Sequence, residues 1–491
     1  MNALFVNPES PVTFWSFKHA LRFVNKKSGL PPLGLLTVAA MMPDAWNKRL
    51  VDLNVHELRD SDLEWADHVY VTGMLVQMDS ARDVIARARA HGKFVVAGGP
   101  LYTTTVDEFP DVDCFVLNEG ESTIPQYLRD LEAGMLKRVY ASKERPDISV
   151  TPPPDWSLID VNDYATMPIQ ISRGCPFRCE FCDIVVMNGR IPRVKSAAQV
   201  CLELDAIRAT GWKGNVFIVD DNFIGNKLRV KRILRAIIDW MDVHGRIFNL
   251  STEAPINLAD DEELLALMRR ANFNAVFVGI ETPDEASLHA CGKVQNTRKD
   301  LVEKVKVLQR SGMEVQGGFI VGFDTDTENT FDNMIRFIQQ SGIVTAMVGL
   351  LHALPDTALH ARLLAAGRIV KDDTGNNTDR TMNFIPAMDI DILMDGYARV
   401  LRSIFSPDKF YSRVITYLRE YQKVADGMKM TLRVQALALS RTIWRLGIRE
   451  KGSRHFWKLF FWTAFRKPWL FPEAITQAIY GYHFRKVLIS G

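Results

Sequence analysis

The chain has 491 residues, 47% hydrophobic content and a net charge of +2, which suffices for two or three domains with large cores. No uninterrupted run of about 18 apolar residues and no signal-peptide pattern is present, and three of the six cysteines (Cys114, Cys201, Cys291) are scattered singly. These features argue against a membrane-spanning or disulfide-stabilised secreted protein. They predict a cytoplasmic one.

Short apolar segments alternate with helical patterns in the first part of the chain. Strands are predicted at 3–6, 49–52, 68–72, 93–97 and 113–117, with helices at 33–42, 79–91 and 121–134. Because the strand segments are continuously apolar rather than alternating, they predict a parallel sheet covered on both faces. Residues 1–140 are therefore predicted to form a doubly wound, Rossmann-like α/β domain.

Ligands bind such sheets at the carboxyl ends of the strands. Those ends carry the sequences Thr72-Gly73, Gly98-Gly99 and Asn118-Glu119-Gly120-Glu121. Paired glycines let the backbone approach a large flat ligand closely, which makes this edge a candidate binding site. The alternative interpretation is ordinary turn chemistry.

A proline run at 152–154 predicts a semi-rigid linker over residues 141–165. Beyond it, six strand patterns are predicted at 168–172, 215–219, 247–251, 275–280, 315–321 and 345–351. Helices are predicted between them at 197–210, 227–243, 260–271, 297–311 and 328–341. These units predict a partial (β/α)6, TIM-like barrel over residues 166–355, with its chemistry at the carboxyl ends of the strands.

Three cysteines, Cys175, Cys179 and Cys182, follow the first barrel strand at the spacing C-x3-C-x2-C. Three thiolates cannot pair off as disulfides without an odd one left over, and so short a loop can direct all three sulfurs at one centre. Three sulfur ligands leave one metal position open, which predicts a reactive metal cluster rather than a structural zinc site. The alternative is three incidental loop cysteines.

This loop resembles the signature C-x3-C-Φ-x-C of the radical S-adenosylmethionine (SAM) superfamily, with Phe181 as the aromatic Φ. The resemblance implies that the three cysteines hold a [4Fe–4S] cluster whose unique iron is chelated by SAM. It further implies reductive cleavage of SAM to methionine and a 5′-deoxyadenosyl radical.

Polar residues follow the other barrel strands. They are Asp220, Asp221 and Asn222 after the second, Glu253 after the third, Glu281 after the fourth, Gly322 and Asp324 after the fifth, and His352 after the sixth. By resemblance to the superfamily, Asp220, Asp221, Glu253, Glu281 and Gly322 fall where SAM is contacted, although Asp220-Asp221-Asn222 replaces the usual G-G-E segment. A carboxylate at a strand end can also be a helix cap, which is an equal alternative for Asp324.

The N-terminal domain resembles the cobalamin-binding domain of class B radical SAM enzymes, on Pro31-Pro32-Leu33-Gly34, Gly98-Gly99-Pro100 and Asn118 to Glu121. The resemblance implies cobalamin contacts at Thr72, Gly73, Gly98, Gly99, Glu119 and Gly120. The D-x-H-x-x-G motif is absent, and His56 does not lie at that spacing. The lower face of cobalamin is therefore expected to meet side chains around residues 72–77.

The remaining chain is predicted to be helical, with an extension at 356–425 and a tail at 426–491. Residues 388–421 resemble the C-terminal extension of uncharacterised function in one subgroup of these enzymes. A polar loop at 371–385 is predicted to be a solvated connector or a cover over the barrel mouth. Residues 428–491 hold twelve Lys and Arg against two acids, together with clustered Trp and Phe. This composition is typical of a peripheral membrane helix, with a helix packed on the core as the alternative.

The resemblance implies a cobalamin-dependent methyltransferase acting on an unactivated carbon. One SAM methylates cob(I)alamin, and a second yields the radical that abstracts substrate hydrogen. The tail favours a hydrophobic or lipid-like biosynthetic intermediate as substrate and a location at the inner face of the membrane. Two alternatives remain: a radical cyclase, oxidase or rearranging enzyme without methyl transfer, and a non-catalytic metal-binding scaffold at a membrane. An electron donor such as flavodoxin or ferredoxin is expected, and nucleic acid is not.

Overall fold

The structure is a computed structural model and describes residues 1–297, 300–371, 375–376, 380–423 and 431–489. The first six strands form one parallel sheet in the order β2-β1-β3-β4-β5-β6: β1 Asn2–Asn7, β2 Asn47–Asp52, β3 His68–Val71, β4 Phe94–Gly98, β5 Cys114–Val116 and β6 Val139–Tyr140. Helices follow or separate them: α1 Lys18–Leu21, α2 Leu33–Met41, α3 Asp60–Trp65, α4 Met78–Ala90, α5 Pro100–Thr104 and α6 Gly120–Glu132.

The strands of this sheet are apolar along their whole length because both of their faces are buried. One face packs against α3, α4 and α5, and the opposite face packs against α2 and α6. The strand order reverses between β1 and β3, so the carboxyl ends of these two strands flank the crevice in which such sheets bind ligands. The predicted doubly wound domain is confirmed.

The second sheet is also parallel, in the order β7-β10-β11-β12-β13-β14, and its strands follow the predicted segments closely: β7 Thr166–Ile169, β10 Gly214–Ile218, β11 Phe248–Glu253, β12 Phe273–Glu281, β13 Glu314–Val321 and β14 Ala346–Leu350. A short antiparallel pair, β8 Ser172–Arg173 and β9 Arg193–Val194, was not predicted. The helices of this part are α7 Ile184–Asn188, α8 Ala197–Ala209, α9 Lys227–His244, α10 Glu262–Arg270, α11 Glu285–Ala290, α12 Leu301–Arg310, α13 Glu328–Ser341 and α14 Ala358–Ala365. The partial barrel is confirmed.

The C-terminal region is helical, as predicted: α15 Ile390–Phe405, α16 Pro407–Glu420, α17 Leu432–Thr442, α18 Ser453–Arg466 and α19 Phe471–Leu488. Arg413 fixes α16 to the barrel, because its wholly buried guanidinium donates to the Ile404 carbonyl (2.8 Å) and to Gln339 Oε1 (2.6 Å). Helix α19 packs into the core, where Phe484 stacks on Phe14 with ring centroids 4.2 Å apart. For α19, the packed-helix alternative is therefore the correct one.

Two connecting segments were predicted, the proline-rich linker at 141–165 and the polar loop at 371–385. The proline-rich segment is docked, since the Asp155 amide donates to the Leu36 carbonyl (3.1 Å) and Trp156 is buried. In the polar loop at 371–385, residues 372–374 and 377–379 lie outside the described residues. The described Gly375 contacts the N-terminal domain, because a Cβ on it would lie 2.8 Å from Leu75 Cβ. None of the described helices is long and apolar enough to cross a bilayer.

Candidate functional site

The cysteine loop lies between β8 and β9, and the pairing of these two strands brings the two ends of the loop together. The Cys175 amide donates to the Gly189 carbonyl (3.1 Å). Gly174 has φ +101°, and a Cβ there would lie 2.9 Å from the same carbonyl oxygen. Only glycine fits this position, because the turn needs both a left-handed backbone and close contact with residue 189.

The far side of the loop is held by the turn after α11 and by α14. The Glu180 amide donates to the Cys291 carbonyl (2.9 Å), and the Glu180 carbonyl accepts from the Leu359 amide (2.9 Å). Arg362 on α14 forms an ion pair with the Glu180 carboxylate (2.9 Å). The backbone that carries Cys179 and Cys182 is thus fixed from two directions.

Side-chain amides are directed at two of the three sulfurs. Asn222 Nδ2 lies 3.4 Å from Cys175 Sγ, and Gln295 Nε2 lies 3.8 Å from Cys179 Sγ. Burial raises the pKa of Cys182 to about 12 and also raises the pKa of Cys179, so without metal these thiols hold their protons. The described residues contain no group of His, Cys, Asp and Glu arranged around a single metal ion. Three thiol donors, two of them with a side-chain amide at the sulfur, fit an iron–sulfur cluster, in which each cysteine binds a different iron.

Asp220 braces the segment that leads into this loop. Its fully buried carboxylate accepts hydrogen bonds from the Ile171 amide (2.7 Å) and the Ser172 hydroxyl (2.7 Å). Burial raises the pKa of Asp220 to about 7. Next to it, Asp221 accepts from Asn188 Nδ2 (3.0 Å). SAM contact by Asp220 and Asp221 stays a prediction.

Glu253 ends β11 beside these two acids. Burial, followed by the charges of Asp221 and Asp220, raises the pKa of Glu253 to about 8. A carboxyl group held neutral in this way becomes a good partner for a cation that enters the site, because the cation allows it to ionise. The location therefore fits the predicted contact with SAM, which stays a prediction.

We expect the substitution Glu253→Gln to make the protein more stable at alkaline pH. Between about pH 4.5 and pH 8 the folded protein keeps a proton on Glu253 that the unfolded chain releases, so stability falls as pH rises through this window. Glutamine mimics the protonated acid. Thermal unfolding without SAM should show the variant gaining about 2 to 4 °C over wild type at pH 8.5 and little at pH 5. The exposed substitution Glu64→Gln is the control; an equal gain at both pH values would contradict the buried-acid explanation.

Glu281 ends β12 in a strained conformation with φ +63°. Its carboxylate forms an ion pair with Lys293 Nζ (2.5 Å). Although burial opposes charge on the lysine, Glu281 and the nearby thiols hold the pKa of Lys293 above its usual range. Asn296 holds the strand end by donating to the carbonyls of Gly279 (3.0 Å) and Ile280 (3.1 Å). A SAM contact by Glu281, which stays a prediction, would have to share the carboxylate with Lys293.

Gly322 directly follows β13 and has φ +107°, and its amide donates to Asp326 Oδ2 (2.7 Å). The next residue, Phe323, lies edge-on to Phe181 of the cysteine loop, with ring centroids 6.1 Å apart. Asp324 is not a helix cap, because its carboxylate pairs with Arg362 (2.8 Å) and Arg368 (2.7 Å). Thr327 is the N-cap residue of α13 instead. The roles of Phe181 and Gly322 in SAM binding stay predictions.

The glycines at the predicted cobalamin edge pack too closely against neighbouring residues to carry side chains. A Cβ on Gly98 would lie 2.6 Å from the Val116 carbonyl oxygen, and one on Gly99 would lie 2.8 Å from Thr72 Oγ1. The Gly73 carbonyl accepts from the Leu101 amide (2.9 Å). A side-chain-free cradle at the carboxyl ends of β3 and β4 fits a large flat ligand such as a corrin.

Gln77 and His56 bear on which side chains would meet the lower face of cobalamin. Gln77 lies at the crevice between β1 and β3, where its amide donates to the Pro8 carbonyl (2.6 Å) and the Ser10 hydroxyl (3.1 Å). His56 instead pairs with Asp163 (3.3 Å) and is largely exposed. The expectation that cobalamin meets residues 72–77 rather than a histidine stays a prediction.

Glu119 and Glu121 form ion pairs that were not predicted from the sequence. Glu119 accepts from Arg173 and from Arg193 (both 2.7 Å), and Glu121 accepts from Arg173 (2.8 Å). Gly120 begins α6, where a Cβ would lie 2.9 Å from Ile124 Cδ1. The carboxylates thus join the edge of the N-terminal domain to the hairpin that carries the cysteine loop. Contacts of Glu119 and Gly120 with cobalamin stay predictions.

Several side chains at this site were missed from the sequence. Gln295, Lys293 and Asn296 lie in the loop after α11, which has no apolar periodicity and gives no sequence signal of proximity to the cysteines. Asn222 belongs to the segment Asp220-Asp221-Asn222, but no role is predicted for it from the sequence. Trp15, for which no role is predicted, lies against the barrel strands, with its ring centroid 5.4 Å from that of Phe277.

Three family models match successive parts of the chain. They are the B12 binding domain over residues 23–128, the Radical SAM superfamily over 169–338 and a domain of unknown function, DUF4070, over 357–489. An uncharacterised methyltransferase of Synechocystis is 40% identical over 99% of this chain and 91% of its own length. The Hopanoid C-2 methylase of Rhodopseudomonas palustris is 35% identical over 93% of this chain and 88% of its own length.

A solved structure shares the fold across the chain. The cobalamin-dependent SAM radical enzyme OxsB, with aqua-cobalamin bound, matches with a TM-score of 0.64 at 14% identity, covering 99% of this chain and 79% of that one. The chain belongs to the family of cobalamin-dependent radical SAM methyltransferases. Membership of this family confirms the predicted cofactors, which are a [4Fe–4S] cluster, SAM and cobalamin.

Proposed function

We propose that this enzyme methylates an unactivated carbon of a hydrophobic, lipid-like biosynthetic intermediate. When bound, the cofactors supply a radical that removes hydrogen from carbon and a methyl group for the carbon left behind. The protein must then hold an apolar molecule beside the cysteine loop and exclude water. The observation that supports this assignment is an apolar wall inside the barrel.

Phe277, Met347 and Trp15 form this wall. Phe277 on β12 is the register partner of Glu253 on β11, so both side chains lie on the same face of the sheet. Gly318 leaves room for the Phe277 ring, since a Cβ there would lie 2.8 Å from the ring. Trp15, still 37% exposed, covers both neighbours, and its indole nitrogen lies 3.1 Å from Met347 Sδ.

This wall is suited to an apolar acceptor for two reasons. The opposite face of the strands is sealed by helices, so the partly exposed rings open toward the barrel interior. The wall also adjoins Glu253, beside the acids predicted to contact SAM. An acceptor on the wall would therefore lie next to the reacting end of SAM. The relative named a hopanoid methylase makes a hopanoid the first acceptor to test.

The test is incubation of the cofactor-loaded enzyme with methyl-deuterated SAM, dithionite and either a hopanoid or a polar peptide. We expect deuterated methyl in the hopanoid and none in the peptide. SAM cleavage that transfers no methyl to either acceptor would favour the cyclase, oxidase or rearranging alternative. Methyl in the peptide alone would contradict the assignment of a lipid-like substrate.

The substitution Trp15→Ala should weaken acceptor binding. Removing a large aromatic surface from the wall should raise KM for the apolar acceptor about 10- to 100-fold. SAM cleavage without acceptor should stay within about twofold of wild type, because Trp15 has no contact with the cysteine loop. Trp65→Ala, in the N-terminal domain, is the matched control. Equal losses of both activities would show that Trp15 acts on folding instead.

A further inference from the structure

A cluster of apolar side chains is exposed on the C-terminal tail. Phe465 is 81% exposed, Trp469 61%, Ile448 60%, Trp444 51% and Phe461 50%. We call these five residues the aromatic face. Monomeric proteins rarely leave large apolar side chains clustered in water, and such clusters mark surfaces that contact a partner or a membrane.

Part of the aromatic face is held by ring stacking and a hydrogen bond. Phe461 stacks on Phe465 (6.3 Å between ring centroids) and on Trp457 (5.6 Å). Trp457 in turn donates its indole N–H to the Gly447 carbonyl (3.0 Å), which links α18 to the turn that carries Trp444 and Ile448. The opposite side of α18 is buried, at Phe456, Leu459 and Thr463. The exposed rings are therefore held in place rather than free to fold back.

The surroundings of the aromatic face are strongly basic. Six cations on residues 445–466 are exposed: Arg445, Arg449, Lys451, Arg454, Lys458 and Arg466. The one acid between residues 441 and 469, Glu450, is already bound by Arg485 in two contacts of 2.8 and 3.0 Å. The Arg449 guanidinium lies 4.8 Å from the Trp444 ring centroid. Within residues 441–469, all of which the structure describes, no other acid offsets these exposed cations.

We propose that the aromatic face docks the enzyme on an anionic lipid bilayer. Trp and Phe side chains partition into the boundary between headgroups and acyl chains, and flanking Lys and Arg attract anionic headgroups. The two most central rings, Phe461 and Phe465, project from α18 between exposed cations, a combination that suits an anionic bilayer. The proposal adds a location to the proposed reaction, and its test requires no methyl acceptor.

The test is sedimentation of the full-length protein with two kinds of vesicle, phosphatidylcholine alone or with about 30 mol % phosphatidylglycerol. Wild type should bind the anionic vesicles at least about tenfold more tightly, and added salt should reduce this binding. Phe461→Ser/Phe465→Ser/Trp469→Ser should lower that affinity at least about tenfold. Lys458→Gln/Arg466→Gln should lower it by a smaller factor.

Leu228→Ser/Val243→Ser is the matched control, because both side chains are exposed on α9, 67% and 78%, away from the tail. It should bind like wild type. Thermal unfolding and acceptor-free SAM cleavage verify that the triple variant is folded. Wild type that binds neither vesicle, or a folded triple variant that binds as well as wild type, would overturn the proposal. So would capture of acidic flavodoxin through this face by a protein that ignores vesicles.

Discussion

Replacing Cys182 by alanine is expected to abolish SAM cleavage. The loop supplies only three sulfur ligands, so the loss of one leaves a site that cannot hold the cluster in place. The neighbouring amides of Asn222 and Gln295 are directed at sulfur and offer no replacement thiolate. We expect iron content to fall to background after anaerobic reconstitution and 5′-deoxyadenosine formation to drop by at least about a thousandfold.

Cys201→Ala is the matched control for this experiment. Cys201 is a half-buried cysteine on α8, where its sulfur contacts the Ala236 carbonyl (3.9 Å) rather than the cysteine loop. The variant should keep its iron and its SAM cleavage. A Cys182→Ala protein that still binds a full complement of iron and cleaves SAM would remove Cys182 from the cluster.

The substitution Glu121→Ala should reduce methyl transfer more than it reduces SAM cleavage. Its side chain is 2% exposed, and its pairing with Arg173 connects the cobalamin-binding domain to the cysteine hairpin. Glu121→Ala leaves the Arg173 guanidinium buried with one partner fewer, which costs on the order of 3 kcal/mol. We expect a melting temperature lower by several degrees. Methyl transfer should fall about 10- to 100-fold, because it requires the two domains to be held in a fixed relative position. The effect on acceptor-free SAM cleavage should be smaller.

The exposed ion pair between Arg235 and Glu263 is the control, since each side chain is 53% exposed. Glu263→Ala should lower the melting temperature much less than Glu121→Ala does, because solvent screens an exposed ion pair. A double-mutant cycle of Glu121→Ala with Arg173→Met should show strong coupling between the two residues. Additive losses, or equal losses of methyl transfer and SAM cleavage, would contradict a role in holding the domains together.

The sheets and the cysteine loop were predictable because their signals are local. Buried parallel strands such as Val95 to Ala97 are apolar along their length, and the cysteine spacing is contained within eight residues. The β8–β9 hairpin was missed since each strand has two residues and pairs over a long loop. The positions of β6 and the short α5 were missed for the same reason of length.

The contacts of charged residues were not predictable, because they depend on partners far along the chain. Glu119 and Arg193 are 74 residues apart in sequence, yet their side chains form a two-pronged ion pair. In the tail, α19 is packed as one of the two interpretations predicts, and the peripheral-membrane interpretation stays a prediction. The basic and aromatic composition of the tail is the same whether a helix is buried, as α19 is, or exposed along one face, as α18 is. Only the packing of the whole chain distinguishes them.

The most direct test is anaerobic purification with iron, sulfide and hydroxocobalamin supplied, followed by dithionite-driven turnover with methyl-labelled SAM. We predict roughly four irons and about one cobalt per chain, formation of 5′-deoxyadenosine, and label in a hopanoid or similar apolar acceptor. A chain that binds its full complement of iron but no cobalt, or that carries both metals and never cleaves SAM, would contradict the assignment as a cobalamin-dependent radical SAM methyltransferase.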